Sequence, residues 1–156
     1  MPAEVGTRAP DFTLTNHERQ PVTLSAARGR PVVLAFFPAA FSSVCTKELC
    51  TFRDSLARLN QAHALVYGIS VDTFFALKAF HDQQGYTFPL LSDFNKQAIR
   101  DYGVLNEDMI GLKGIAKRAV FVIDQDGIIR HREVLEDARN EPNYEKVFST
   151  LASLAA

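Results

Sequence analysis

The chain contains two cysteines, Cys45 and Cys50, and cysteine thiols can act as nucleophiles and pass through oxidised states. Cys45 follows a short loop, residues 38–44, and stands at the predicted start of an amphipathic helix. Unpaired backbone N–H groups and the helix dipole favour an anion at such a place. The position therefore predicts a reactive thiolate at Cys45, against the alternative that the cysteines are small buried core residues.

A buried strand and an amphipathic helix are predicted to hold Cys45 between them. Val32 to Phe37 is a continuous run of apolar residues, which is typical of a central strand covered on both faces. After Cys45 the apolar residues recur at helical spacing, which predicts the helix. These residues are Leu49, Phe52, Leu56 and Leu59. Ala64 to Val71 predicts the next buried strand.

Strands and helices alternate along much of the remaining chain. Ala9 to Leu14 and Pro21 to Leu24 predict an N-terminal hairpin. Phe74 to Gln84 predicts a helix that is closed by Gly85, and a short helix is expected at Lys96 to Tyr102.

The C-terminal third is predicted to form a hairpin and a closing helix. Ala119 to Asp124 and Ile128 to Val134 are strand-like and are joined by a glycine-containing turn. An apolar stripe starting at Tyr144 predicts the last helix, with Pro142 near its first turn. Asn106 to Lys117 is expected to be an irregular, mobile loop. This order predicts an α/β chain with a thioredoxin-like fold: a central mixed sheet flanked by helices, preceded by an N-terminal β-hairpin.

Length and charge limit the classes of function. A chain of 156 residues fits a single domain, residues 1–156. The formal net charge of −1, without a clustered basic stretch, disfavours nucleic acid as a partner. The most apolar stretch, Pro31 to Phe41, is far shorter than the ~20 residues of a membrane span. The N-terminus lacks the features of a secretory signal, so a cytoplasmic location without membrane attachment is expected. The histidines and cysteines have no metal-ligand spacing, and Gly111 and Gly114 form no phosphate-binding fingerprint, so no metal or other cofactor is expected.

Three residues before the helix have a recognisable spacing. Three residues separate Pro38 from Ser42, and two residues separate Ser42 from Cys45. This arrangement of a proline, a serine or threonine, and a cysteine resembles the active-site motif of the peroxiredoxins. Further similar segments run over nearly the whole chain: Val5-Gly6, Ala9 to Leu14, Phe88 to Asp93, Tyr102 to Val104 and Arg118 to Asp124. The chain is similar both to the bacterioferritin-comigratory or Q type and to the alkyl hydroperoxide reductase E type.

The resemblance implies a role for each matching residue. Cys45 would be the peroxidatic cysteine, which attacks the peroxide and becomes a sulfenic acid. Ser42, where threonine is commoner, would hydrogen-bond the peroxide, and Pro38 would shield the thiol from water. Arg118 would lower the pKa of Cys45 and polarise the substrate, and Glu48 would hold Arg118 in place.

The role of Cys50 stays open between two alternatives. In the Q type a cysteine five residues after the peroxidatic one is the resolving thiol, which forms a disulfide with it. The alkyl hydroperoxide reductase E type uses one cysteine, and segment 39–41 and the compact C-terminus resemble that type.

The resemblance therefore implies a thiol-dependent peroxidase that reduces hydrogen peroxide and organic hydroperoxides. The resemblance implies recycling by a thioredoxin-like or glutaredoxin-like reductant, in a monomer or homodimer. One rival is a thioredoxin-like disulfide reductase, which normally has its cysteines closer together than Cys45 and Cys50. Another is a peroxide-responsive redox sensor or holdase, because that role also begins with a sulfenic acid.

Overall fold

The computed structural model describes residues 3–154, with the exception of the side chains of residues 43–46 and 56–57. The strands are, in chain order, β1 (Thr13–Asn16), β2 (Pro21–Thr23), β3 (Val32–Phe36), β4 (Leu65–Ser70), β5 (Leu90–Ser92), β6 (Leu105–Asn106), β7 (Ile115–Ala116), β8 (Arg118–Ile123) and β9 (Ile129–Leu135). The α-helices are α1 (Ser43–Asp54), α2 (Leu56–Gln61), α3 (Phe74–Gln84), α4 (Gln97–Asp101) and α5 (Tyr144–Leu154).

Seven of these strands form one mixed sheet in the order β2-β1-β5-β4-β3-β8-β9. β3 lies in its interior, parallel to β4 and antiparallel to β8. All five residues of β3 are buried, as their continuous apolar character predicted. The mixed central sheet with flanking helices confirms the predicted α/β architecture.

Each face of the sheet carries its own hydrophobic core. Alternate residues of β3 point to opposite faces, so Val33 and Ala35 enter one core and Leu34 and Phe36 enter the other. The first core is closed by buried residues of α1, α2, α3 and α5, and the second by α4 and residues near the N-terminus. α1 is therefore packed against the sheet directly after β3.

The predicted N-terminal hairpin is present with shifted bounds. β1 begins at Thr13, and Leu24 begins a short 3-10 helix rather than ending β2. β1 also pairs with β5, a short strand that the sequence did not indicate.

The helix after the cysteine loop starts earlier and ends earlier than its apolar stripe indicated. α1 starts at Ser43, so Cys45 is its third residue. The stripe continues past Asp54, but a break at Ser55 separates α1 from α2. The amide of Ser55 still donates to the carbonyl oxygens of Thr51 and Phe52, so the two helices follow closely on each other.

α3 has the predicted bounds because its end signals are local. The Thr73 hydroxyl accepts from the amide of Ala76 at 3.3 Å, and Gly85 adopts the left-handed conformation with φ 66°. The C-terminal helix, α5, begins at Tyr144, and Pro142 lies two residues before it, close to the first turn as predicted.

The segment predicted as an irregular loop, Asn106 to Lys117, contains a small hairpin. β6 and β7 pair antiparallel, and beyond them Met109 and Leu112 exchange both backbone hydrogen bonds, at 3.0 and 2.9 Å. The two residues between them, Ile110 and Gly111, both have positive φ, 49° and 88°. This is the geometry of a tight type I′ turn, which normally takes asparagine and glycine.

Candidate active site

The loop between β3 and α1 is fixed by contacts outside itself. Asp72, which follows β4, accepts the backbone amide of Ala40 at 2.8 Å and the hydroxyl of Ser70 at 2.7 Å. Phe41 has φ 70°, a conformation that costs a bulky residue free energy, and its ring lies 5.0 Å from that of Phe80. The surrounding contacts thus impose a strained conformation on the residue immediately before Ser42.

The backbone of Cys45 lies in the first turn of α1, where the amide groups at the start of a helix lack helical partners. The side chain of Cys45, the predicted attacking thiol, lies outside the described residues.

Arg118 and Glu48 form a buried ion pair next to this turn. Arg118 is the first residue of β8, and its Nη1 donates to Oε1 of Glu48 at 2.8 Å. Both side chains are almost completely shielded from solvent, with 2% of Arg118 and none of Glu48 exposed. Nε of Arg118 donates to the carbonyl oxygen of Ala138 at 3.1 Å. A helix and an irregular segment, both distant from Arg118 in sequence, therefore fix its guanidinium group.

Burial dominates the electrostatics of Glu48. Removal from water raises the pKa of Glu48, and the neighbouring guanidinium of Arg118 opposes that rise. Oε2 of Glu48 is buried and has no hydrogen-bond partner within the described structure. The negative charge of this buried carboxylate is balanced by the positive charge of Arg118, so removing the arginine would leave a buried acid without a counter-charge.

Pro38, Ser42 and Arg118 line one open cleft of about 810 Å³. Glu48 lies behind Arg118 and does not line it. The cleft is also lined by the tip of the small hairpin, with Met109, Ile110 and Leu112, and by residues 136–139. Ile110 is 91% exposed, so the cleft has an apolar rim beside a buried cation.

Cys50 occupies a different environment from this cleft. It is a free, half-buried thiol whose Sγ lies 3.7 Å from Oη of Tyr86 and 3.9 Å from Oε1 of Gln84. These partners belong to the end of α3 and the turn after it, while Cys50 itself packs against the first core.

Three features of the site were not found in the sequence. Asp72, which holds the cysteine loop, follows β4, and its role depends on a long-range contact. The carbonyl of Ala138 reaches Arg118 from a segment without regular structure. The apolar wall at Ile110 was missed because isoleucine disfavours the turn that it occupies. The contacts of Asp72 and Ala138 leave no local signal in the sequence, whereas the pair Ile110-Gly111 is a weak signal for a turn.

Within the described part of the chain there is no group of three or more His, Cys, Asp or Glu side chains placed to hold a metal ion. No helix in residues 3–154 combines the length and apolar character that a membrane span requires.

Known proteins of one family are similar to this chain over most of its length. The model of the AhpC/TSA family matches residues 5–132. Alkyl hydroperoxide reductase E of Mycobacterium tuberculosis is 44% identical over 133 residues, which are 83% of this chain and 84% of that protein. Chloroplastic peroxiredoxin Q of Sedum lineare is 38% identical over 80% of this chain and 66% of its own length.

The fold matches as well. The crystal structure of peroxidoxin BcpB from Mycobacterium tuberculosis superposes with a TM-score of 0.89 and 31% identity, over 99% of both chains. This agreement confirms the thioredoxin-like fold. The chain therefore belongs to the AhpC/TSA family and is a peroxiredoxin, a thiol-dependent peroxidase.

Proposed function

We propose that Cys45 is the peroxidatic cysteine and that the cleft beside it binds the peroxide. The observation that carries this proposal is that Pro38, Ser42 and Arg118 line a single cleft, while Cys45 lies in the first turn of the helix that follows Ser42. The Cys45 thiolate attacks one oxygen of ROOH, the O–O bond breaks, and the sulfur is oxidised to a sulfenic acid. The leaving alkoxide takes up a proton and departs as an alcohol, or as water when the substrate is hydrogen peroxide.

Ser42 aligns the substrate, and Arg118 stabilises the charges of the reaction. The hydroxyl of Ser42 hydrogen-bonds the peroxide and aligns its O–O bond with the sulfur. The guanidinium of Arg118 stabilises the thiolate and the charge that develops on the leaving oxygen. Pro38, which has no backbone N–H, shields the thiol from water, and Glu48 acts through Arg118 by holding it in place.

The apolar wall of the cleft supports organic hydroperoxides as substrates in addition to hydrogen peroxide. Ile110 is almost completely exposed although it is apolar, and it occupies a turn position that asparagine would fill at lower cost. Exposed apolar surface at a strained position is favoured where it contacts a ligand. The alkyl group of the hydroperoxide would lie against Ile110 while its O–O group reaches Ser42.

The substitution Ile110→Asn tests this assignment without weakening the fold. Asparagine favours the positive φ at this position, so the free energy of unfolding should rise by about 1 kcal/mol. Loss of the apolar contact should lower kcat/KM for cumene hydroperoxide about fivefold and leave kcat/KM for hydrogen peroxide unchanged. Steady-state kinetics with the two peroxides and a urea denaturation curve provide the measurements.

Phe94→Asn serves as a matched control, because Phe94 is also exposed and apolar but does not line the cleft. It should change neither kcat/KM value. An equal loss with both peroxides in Ile110→Asn would contradict an alkyl-binding role for the tip of the hairpin.

We also propose that Cys50 is the resolving thiol. Both cysteines lie within α1, where residues five apart have Cα atoms about 8 to 9 Å from each other. That distance exceeds the ~7 Å that a disulfide spans, so the helix must unwind locally before the bond forms. Cys50 then attacks the sulfenic sulfur of Cys45, a disulfide forms, and the hydroxyl leaves as water.

A single-turnover experiment tests both cysteines together. The reduced protein is mixed with one equivalent of hydrogen peroxide, quenched with acid at short times and analysed by mass spectrometry. Cys45 should be oxidised far faster than a free thiolate, and a linked Cys45–Cys50 peptide with the loss of two hydrogens should follow. A sulfenic acid on Cys45 that persists in the wild-type protein would overturn the resolving role. Oxidation no faster than a free thiolate would instead favour a redox sensor.

The reductant and the cellular setting follow from the same chemistry. A Cys45–Cys50 disulfide is a substrate for a dithiol reductant of the thioredoxin or glutaredoxin kind, and this recycling belongs to the reducing cytoplasm. The chain functions as one domain, residues 1–156, in a monomer or homodimer.

A further inference from the structure

The contacts of Arg53 tie the Cys50 end of α1 to a neighbouring turn. Nη1 of Arg53 donates to the backbone carbonyl of Gln84, and its guanidinium carbon lies 6.0 Å from the centre of the Tyr86 ring. Cys50, one turn earlier on the same helix, contacts Gln84 and Tyr86 through its sulfur, at 3.9 and 3.7 Å. Two side chains of α1 thus meet the same short segment, residues 84–86.

That segment is anchored in the first hydrophobic core through Tyr86. Gly85 ends α3 in the left-handed conformation, and Tyr86 is only 3% exposed. The ring of Tyr86 packs edge-on to Phe80, with centroids 5.3 Å apart, and stacks on Phe88 at 5.4 Å. Residues 84–86 therefore do not follow α1 when it unwinds, and the contacts with Cys50 and Arg53 must break instead.

The Arg53 contact is the stronger of the two connections. A guanidinium donating to a carbonyl is a charge-assisted hydrogen bond, whereas a thiol is a weak donor and acceptor. The side chain of Arg53 is about one-third exposed, with 31% of its surface open to solvent, so the bond can break without leaving a buried charge. Its strength then adds directly to the free energy of local opening.

We propose that Arg53, together with Tyr86, forms a latch that holds the Cys50 end of α1 helical and so limits the rate at which Cys50 reaches the oxidised Cys45. This role rests on Cys50 being the resolving thiol. Arg53 and Tyr86 are positioning residues, since they act through Cys50 and are not among the described residues that line the cleft. A tight latch prolongs the life of the sulfenic acid and favours its further oxidation by a second peroxide molecule to the sulfinic acid.

The substitution Arg53→Met tests the latch while keeping most of the apolar stem of the side chain. Mass spectrometry after one equivalent of peroxide should show the Cys45–Cys50 disulfide forming about tenfold faster than in the wild type, with the rate of Cys45 oxidation unchanged. Tyr86→Phe, which removes only the hydroxyl next to Cys50 and retains the ring packing, should accelerate disulfide formation by a smaller factor, about twofold.

Arg58→Met is the matched control. Arg53 also pairs with the carboxylate of Asp54, at 3.0 Å. Arg58 likewise pairs with a carboxylate, that of Glu145, and lies 4.2 Å from the centre of the Phe148 ring, but its partners belong to α5. Its replacement should leave the rate of disulfide formation unchanged. An acceleration as large as that in Arg53→Met would mean that general destabilisation, and not a latch, sets the rate.

A second readout separates the latch from the resolving role. In a Cys45→Ser background, which cannot form the disulfide, the alkylation of Cys50 by iodoacetamide reports local opening directly. Arg53→Met should raise this rate about tenfold. An unchanged alkylation rate overturns the latch even where the disulfide forms. If Arg53→Met speeds alkylation but the wild-type protein forms no Cys45–Cys50 disulfide, the resolving role of Cys50 is overturned instead. Control of disulfide formation by the latch is then overturned with it.

Discussion

Replacing Cys45 with serine should lower the peroxidase activity by at least about a thousandfold, to the uncatalysed background. Serine has nearly the volume of cysteine, but its hydroxyl stays protonated at neutral pH and forms no sulfenic acid on reaction with peroxide. Loss of a nucleophile removes the reaction itself rather than a share of its transition-state stabilisation. Peroxide consumption with an excess of dithiol reductant measures this loss. Circular dichroism and the Tm should match the wild type.

Cys50→Ser makes the same change five residues later and is the natural control. In a single turnover without reductant, this variant should still consume one equivalent of peroxide, since Cys45 is intact, but no internal disulfide should form. Full turnover in Cys45→Ser together with an inactive Cys50→Ser would assign the peroxide attack to Cys50 and overturn the proposed site.

Elements with local signals were predictable from the sequence. The helix from Phe74 to Gln84 has its predicted bounds, because Thr73 and Gly85 supply both end signals within the segment itself. The central strand at Val32–Phe36 was equally evident, since a strand buried on both faces is apolar throughout.

Short strands were not predictable, because only their partners make them strands. Leu90–Ser92 pairs with β4 and β1, and Leu105–Asn106 with β7. Neither segment is long enough to show a period of its own. The break at Ser55 was hidden for a related reason, since the apolar stripe continues across it and only the backbone shows the interruption.

The residues of the candidate site also differ in whether a local sequence pattern indicated them. Pro38 and Ser42 were proposed because their spacing from Cys45, a local property of the chain, resembles the peroxiredoxin motif. Arg118 was inferred only from resemblance to a family, and the sequence alone gives no reason for it to meet Glu48. Asp72 was overlooked because its role is a hydrogen bond to the backbone, which leaves no trace in the identity of Ala40.

Removing the charge of Arg118 should separate two roles that coincide in one residue. In Arg118→Met the buried carboxyl group of Glu48 loses its partner, which should lower the free energy of unfolding by about 3 to 5 kcal/mol. Under the proposed role of Arg118, Cys45 loses its stabilising cation as well, so its oxidation should be about a hundredfold slower and its apparent pKa should rise. The pH dependence of Cys45 alkylation by iodoacetamide, measured in a Cys50→Ser background, should shift to higher pH.

The double variant Arg118→Met with Glu48→Gln shows whether Arg118 acts on Cys45 directly or only stabilises the fold by compensating Glu48. Glutamine carries no charge, so the pair no longer leaves a buried ion uncompensated, and most of the lost stability should return. The rate of Cys45 oxidation and the shifted alkylation profile should both stay as in the single variant, because the cation that is proposed to stabilise the thiolate is still missing. If oxidation recovers along with stability, Arg118 serves only to compensate Glu48, and the anion at Cys45 is stabilised by the start of α1 alone.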